Sequence, residues 1–401
     1  MNVMLPTIVI QPGREGPINR NHPWIFSGSI LETKGTPKEG DVVLVKDKKD
    51  TVLGVGLFGE GSLAVKIIGF QESNIETVIQ RNLQLAVDLR KTLGFPNAET
   101  NMFRLVNGEG DFIPGLIIDL YNDSVVIQCH HVGIWNLKEL IAKNIKSTLS
   151  KTLKIELDTI YCTFEGKFHQ NSSLKDFNPE PVWLLGEKSK TIGLENKINF
   201  SVDWTAGQKT GFFLDQRENR ELVKKLSCGK KVLNMCCYTG GFSISALAGE
   251  ATLVHSVDVS EKAIDKLKEN INLNFKDSVA HSTTTKDVFS FLENHTDEYD
   301  IVILDPPAFA KERGANRNAL SGYKRLQKLG ISKVKPGGLL LSFSCTQVIS
   351  KSEFLQCLYE AVLESNRKSV NVLKELGAAP CHPTSIFHPE GRYLKGLLVS
   401  C

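Results

Sequence analysis

No stretch of this 401-residue chain is apolar over the roughly 20 residues that a membrane-spanning helix needs. The first ten residues, Met1 to Ile10, lack a basic region followed by a long apolar core, so no signal peptide is expected. Strong charge of one sign is also missing. The net charge is +3, with Lys, Arg, Asp and Glu summing to 0 over residues 1–72, −2 over 73–185 and +5 over 186–401. That is not the heavily basic footprint of a protein held to nucleic acid by charge alone. The nine cysteines include no C-x-x-C pair, which argues against a disulfide frame and against a zinc site. Reduced thiols and a cytoplasmic location are the simplest expectation. Internal repeats and low-complexity tracts are absent. What remains is a globular chain too long for one ordinary domain.

The most informative stretch runs from Lys231 to Gly249. Val232 and Leu233 lead into Thr239-Gly240-Gly241, and an amphipathic segment begins at Phe242. Strand, tight glycine turn and helix open a Rossmann-type unit, in which glycines let backbone approach a ligand and helix-start amides bind polar groups. Leu253 to Asp258 reads as a second strand ending in a carboxylate, at the spacing where an acid meets ribose hydroxyls. Asp287 follows the third apolar stretch. Tyr299 to Leu304 is a fourth strand, ending in Asp305-Pro306-Pro307. Lys335-Pro-Gly-Gly338 precedes a fifth, Leu339 to Cys345. Thr-Gly-Gly-Phe is not the nicotinamide fingerprint G-x-G-x-x-G. This succession resembles the class I S-adenosylmethionine-dependent methyltransferases.

Ahead of this unit, residues 1 to about 70 read as short strands: Thr7–Ile10, Gly40–Val45, Val52–Phe58 and Ser62–Ile68, the pattern of a small barrel. His22-Pro-Trp-Ile-Phe-Ser-Gly28 lies between them. Its plain reading makes Trp24 and Phe26 core, but it also resembles the PUA domain, an RNA-binding barrel. That resemblance makes Arg14 and Arg20 candidates for phosphate contact. From Asn74 the period becomes helical, with Ile75, Ile79, Ala86 and Leu93 on one face. Strands flanking the turn at Asn107 to Gly115, a strand over Ser124–Gln128, a helix over Leu137–Leu149 and a strand over Leu157–Cys162 complete a small α+β module. Glu109 and Asp111 are expected to cap backbone amides in their turn. His169 to Pro181 reads as an exposed connection.

Gly207 to Arg220 admits two readings. Asp215 caps a helix and Glu218 completes a capping box, or the stretch lines a cofactor pocket with an aromatic face. Asp287 likewise either accepts from an adenine amino group or caps a helix over Val288 to Glu293. Cys345 at the end of the fifth strand is either a small buried hydrophobe or a nucleophile. Cytosine carbon-5 needs such a nucleophile, because a thiolate adding at carbon-6 makes carbon-5 enamine-like. Cys236 and Cys237 are expected inside the first strand. Phe309, one step beyond Asp305-Pro-Pro-Ala308, is available to stack on a base.

Taken together, His22 to Gly28, Lys209 to Arg217, Tyr238-Thr-Gly-Gly-Phe242, Asp305-Pro-Pro307 and Phe343-Ser-Cys345 resemble the PUA-containing RNA (cytosine-5) methyltransferases acting on large-subunit (23S) ribosomal RNA. The resemblance implies an α/β fold in three parts. These are a PUA-like barrel over 1–72, a small α+β domain over 73–185 and a Rossmann-like methyltransferase domain over 186–401, with one reversed strand over Tyr393 to Val399. It implies S-adenosylmethionine as cofactor, held by Phe212, Gln216, Asn234, Tyr238, Gly240, Gly241, Asp258 and Asp287, and Cys345 as nucleophile with no metal. Other RNA cytosine-5 enzymes carry a second cysteine after the proline of the Asp-Pro-Pro region. Pro307-Ala308-Phe309 has none, so Asp305 or a water is left as the acceptor of the carbon-5 proton. Ribosomal RNA is the expected partner, no membrane is, and a homodimer stays open. Two alternatives remain: methylation of a base nitrogen through Asp305-Pro-Pro, and an RNA-binding ribosome-assembly role without catalysis.

Overall fold

A computed structural model describes residues 5–401 except 167, 169–171, 173, 277–279 and 311–315. The connection expected over His169 to Pro181 therefore lies partly outside the described residues. Two compact units interleave along the chain. The first takes Met1–Gly193, Val202–Phe212 and Pro380–Gly391; the second takes Leu194–Ser201, Phe213–Ala379 and Arg392–Cys401.

The first unit opens with β1 (Thr7–Ile10), α1 (Gly16–Asn19), β2 (Trp24–Phe26), β3 (Ile30–Lys34), β4 (Val42–Lys46), β5 (Val52–Phe58) and β6 (Leu63–Phe70). They form one six-stranded sheet, in the order β2-β6-β5-β4-β1-β3. Alternate residues such as Ile8, Ile10, Val43, Val45, Val65 and Ile67 make its core. Sequence reading missed β2 and β3. Phe26 is 50% exposed, so only Trp24 of the expected core pair turns inward, and that partly.

Asn74 caps α2 (Ile75–Thr92) through the Thr77 amide, as the change of period requires. β7 (Met102–Asn107), β8 (Leu116–Tyr121), β9 (Ser124–Cys129), α3 (Val132–Asn136), α4 (Lys138–Leu153), β10 (Thr159–Phe164) and β11 (Val182–Leu185) follow, and the five strands pair in the order β11-β10-β9-β8-β7. The turn after β7 does more than cap itself. Asp111 accepts the Asn107 amide at 2.6 Å and also forms a two-pronged ion pair with the fully buried Arg90 of α2. Glu109 accepts the Trp24 indole N–H at 3.0 Å. Arg90 and Asn107 donate to the carbonyls of Cys381 and Pro383, and a Cβ on Gly110 would meet the Pro383 oxygen at 2.0 Å. The Arg104 to Gly115 stretch is thus the seat on which residues 380–391 rest.

β12 (Lys190–Glu195) and β13 (Ile198–Asp203) form a hairpin. The second unit then runs α5 (Arg217–Leu226), β14 (Lys231–Met235), α6 (Gly241–Ala248), β15 (Leu253–Asp258), α7 (Glu261–Asn274), β16 (His281–Thr285), α8 (Val288–Asn294), β17 (Tyr299–Leu304), α9 (Asn316–Ser332), β18 (Val334–Ser344), α10 (Lys351–Leu363), β19 (Asn371–Leu376) and β20 (Lys395–Ser400). Its seven strands lie in the order β16-β15-β14-β17-β18-β20-β19. β14 to β18 are mutually parallel, and β20 runs against both neighbours, the reversed strand that was expected. The third strand is not apolar: β16 reads His-Ser-Thr-Thr-Thr and sits at the edge of the sheet.

Candidate active site

In an open α/β sheet, ligands bind beyond the carboxyl ends of the strands where the strand order reverses, here between β14 and β17. β14 ends at Met235, so Cys236 and Cys237 lie past the strand and not within it. Cys236 and Tyr238 both take positive φ, 56° and 47°, and Gly240 follows at 89°. Only glycine fits at 240, because a Cβ would stand 1.9 Å from Leu267 Cδ1. Gly241 begins α6.

Asp258, at the end of β15, accepts the Tyr238 amide at 2.8 Å and the Ser260 amide at 2.9 Å. A carboxylate has about four acceptor sites, so these two bonds fix its orientation and leave acceptor capacity for ligand hydroxyls. Asn234 is buried and donates to Ser243 Oγ at 2.8 Å, and among the described residues its Oδ1 has no donor. Asp287 is exposed and caps α8 through the Ser290 amide, so its helix-capping role is real; the bond engages one of its oxygens. Burial, then Asp258, Asp305 and Asp287, push the Cys236 thiol well above its ordinary range. Three carboxylates from three strand ends therefore act on one point.

The stretch before β14 departs from its capping pattern. The helix starts at Arg217 after a tight turn over Leu214–Gln216, and no side chain caps it. Asp215 accepts the Tyr393 hydroxyl at 2.6 Å instead. Gln216 is buried and donates to Asp305 Oδ2 at 3.2 Å, while its own oxygen accepts from Asn219 at 2.6 Å. Phe212 is buried and belongs to the first unit. The ring set edge-on against Tyr238, 5.2 Å between centroids, is that of Phe213, which sequence reading passed over.

Cys345 follows the last residue of β18 and is half-buried, with its Sγ 3.9 Å from the Pro306 carbonyl oxygen. That distance is the far limit for a sulfur hydrogen bond, so the thiol abuts the Asp305-Pro306 turn without being locked to it. Tyr323 of α9 is pushed up to about 12 by burial, with Cys345 and Asp305 adding to the effect. Phe309 packs on Tyr323 and Phe289, at 4.6 and 6.2 Å between centroids. The ring is half-buried, and these two protein neighbours set its orientation. Sequence reading gives Lys395, the first residue of β20, no role, and gives Tyr393 only as the start of the reversed strand. A lysine inside the apolar run Leu394 to Val399 was the available signal.

Strand order and site together define a class I methyltransferase domain. A family model for S-adenosylmethionine-dependent methyltransferases matches residues 152–385, and one for PUA-like domains matches 8–70. Proteins called ribosomal RNA large subunit methyltransferase I are similar along the whole length. The one from Alteromonas mediterranea is 35% identical over 98% of each chain, and that of Tolumonas auensis 34% over 99% of each. The chain belongs to this family of PUA-bearing, S-adenosylmethionine-dependent methyltransferases. The solved structure of a SAM-dependent methyltransferase from Streptococcus mutans shares the fold, with TM-score 0.81 at 22% identity over 99% of this chain and 100% of that one. So does a methyltransferase complexed with SAH, with TM-score 0.82 at 22% identity and the same coverage.

The residues present fit that cofactor. Asp258 suits the ribose hydroxyls and the Gly240 turn admits close approach. Asp258→Ala is expected to weaken S-adenosylmethionine binding at least about tenfold by calorimetry, since each bond to a charged acceptor contributes about 1.5–3 kcal/mol. Unchanged affinity in a folded variant would refute the assignment.

Proposed function

We propose that this protein methylates carbon-5 of a cytosine in large-subunit ribosomal RNA through a covalent adduct with Cys345. The observation that carries this reading is a half-buried thiol just past the end of β18, set against the Asp305-Pro306 turn. Two other cysteines stand near the cofactor end of the cleft. Burial first, and then nearby carboxylates for Cys236 and the Asp258 carboxylate for Cys237, raise both thiols, which keeps them protonated at neutral pH. The ribosomal substrate is taken from the names of the relatives.

The cofactor supplies an electrophilic methyl group. Cys345 adds through its thiolate to carbon-6 and makes carbon-5 nucleophilic; after methylation carbon-5 loses its proton and the Cys345 sulfur departs. Asp305 is the candidate acceptor for that proton, directly or through a water. Gln216 holds one of its oxygens and so fixes its orientation. Phe212, Gln216, Asn234, Tyr238, Gly240, Gly241, Asp258 and Asp287 form the proposed cofactor set, and Phe213 joins it by its packing on Tyr238.

The division into residues 1–72, 73–185 and 186–401 is proposed as one of roles: RNA contact, support and chemistry. Arg14 and Arg20 are exposed and line a cleft of about 460 Å³ with His22, Trp24 and Phe26, an arrangement suited to phosphates and an unpaired base. None of the described helices is long and apolar enough to cross a membrane, and a ribosomal substrate would make the location cytoplasmic. Mass-spectrometric nucleoside analysis of ribosomal RNA from cells lacking the protein is expected to show loss of one 5-methylcytidine. Loss of an N-methylated nucleoside instead would overturn the carbon-5 reading.

A further inference from the structure

We propose that Lys395 is a positioning residue for the nucleophile, a fixed buried cation that favours the thiolate of Cys345 and holds the Cys345–Thr346 turn in place. The inference rests on the reading of Cys345 as the attacking group.

β20 pairs antiparallel with β18 so that Lys395 stands opposite Ser344, the residue before Cys345. The lysine is 6% exposed. Its Nζ donates to the Tyr393 carbonyl at 2.7 Å and to the Thr346 carbonyl. One bond ties the ammonium to its own strand and the other to the residue directly after the thiol. Among the described residues no carboxylate forms an ion pair with it. A buried ammonium without an anion is costly, and burial does lower the lysine's affinity for its proton. The strongest influence opposing that is Cys345, ahead of Glu353, while Lys351 acts the other way. The attraction is mutual: whatever stabilisation an anionic sulfur lends the ammonium, the ammonium lends the sulfur.

The other groups facing this pair do not replace the lysine. Asp305, at the end of β17, is anionic and disfavours a thiolate. Tyr323 of α9 keeps its proton, its hydroxyl pushed up to about 12. Glu353 of α10 is engaged in the Ser350 cap, and the Tyr393 hydroxyl donates to Asp215. Among the described residues, Lys395 is therefore the cation whose bonds reach the residue after the thiol. In the proposed sequence the Cys345 proton leaves to water, the sulfur lone pair forms the bond to carbon-6, and the carbon-5–carbon-6 π pair shifts to carbon-5. That pair forms the new bond from carbon-5 to the methyl group; when carbon-5 later gives up its proton, the carbon-5–hydrogen bond pair re-forms the double bond and the carbon-6–sulfur pair leaves with the sulfur as thiolate. Lys395 stays protonated throughout.

The test is the pH dependence of iodoacetamide capture at Cys345, quantified on its peptide by mass spectrometry in full-length wild type, Lys395→Met and Lys395→Arg. A free thiol titrates near about 8.5. The wild-type midpoint is expected at least about one pH unit lower, with Lys395→Met raising it by about a unit and Lys395→Arg restoring most of the difference. The exposed Cys228 is followed in the same samples, so that a change common to both peptides is discounted. Equal midpoints in wild type and a folded Lys395→Met would overturn the proposal. So would a wild-type midpoint at or above about 8.5, which needs no variant and decides the matter should Lys395→Met fail to fold. The readout uses neither RNA nor cofactor. A failure here is thus distinct from failure of the covalent reading, which methyl transfer by Cys345→Ala tests.

Discussion

Cys345→Ala is expected to lose methyl transfer by a thousandfold or more, on the order seen when a covalent nucleophile is removed, while keeping cofactor affinity near wild type. The split follows from geometry. The thiol abuts the Asp305-Pro306 turn just past the end of β17, whereas the proposed cofactor contacts come chiefly from Asp258 and the glycine turn after β14. RNA carrying 5-azacytidine at the target should form a denaturant-stable adduct with wild type and none with the variant, because nitrogen at position 5 has no proton to lose and release stalls. Cys236→Ala and Cys237→Ala should still form the adduct, since burial and neighbouring carboxylates keep those thiols protonated. Substantial turnover by Cys345→Ala would end the covalent reading and move attention to nitrogen methylation at Asp305-Pro-Pro.

What the sequence made legible was whatever repeats with a period or ends on a local signal. β14, β15, β17 and β18 are apolar runs closed by glycine, Asp258, Asp305 and Cys345, and a sheet of that kind must gather its strand ends into one cleft. β16 defeated the same logic because an edge strand buries little, and His281 to Thr285 carry no apolar pattern. β3 escaped for a similar reason: four of its five residues are exposed. Asp215 shows a different limit. Its spacing to Glu218 satisfies a capping box, yet its partner is Tyr393, 178 residues away. Arg90 and Lys395 are charges inside apolar patterns, and only a long-range partner explains either. Residues 380–391 separate β19 from β20, two strands of the second unit, yet belong to the first. Their anchors at Arg90 and Asn107 have no counterpart in local sequence.

Arg90→Met is expected to destabilise the first unit by about 3–5 kcal/mol, the cost of stripping one partner from a buried ion pair. Arg90 is fully buried, and every arm of its guanidinium is used: Nη1 and Nη2 hold the two Asp111 oxygens at 2.5 and 2.8 Å, Nε donates to the Arg104 carbonyl at 2.9 Å, and Nη2 also reaches the Cys381 carbonyl at 2.7 Å. Methionine fills the volume but leaves a carboxylate and two carbonyls without that donor. The loss should therefore exceed that of a surface ion pair, which contributes about 0–1 kcal/mol. All four tryptophans, Trp24, Trp135, Trp183 and Trp204, belong to the first unit, so urea unfolding followed by their fluorescence reports on that unit alone. The double variant Arg90→Met/Asp111→Leu should recover part of the loss, because removing both charges ends the unpaired burial, although the Cys381 carbonyl and Asn107 amide still lack partners. A single-variant cost below about 1 kcal/mol would show that the pair contributes no more than a surface bridge and that other contacts seat residues 380–391.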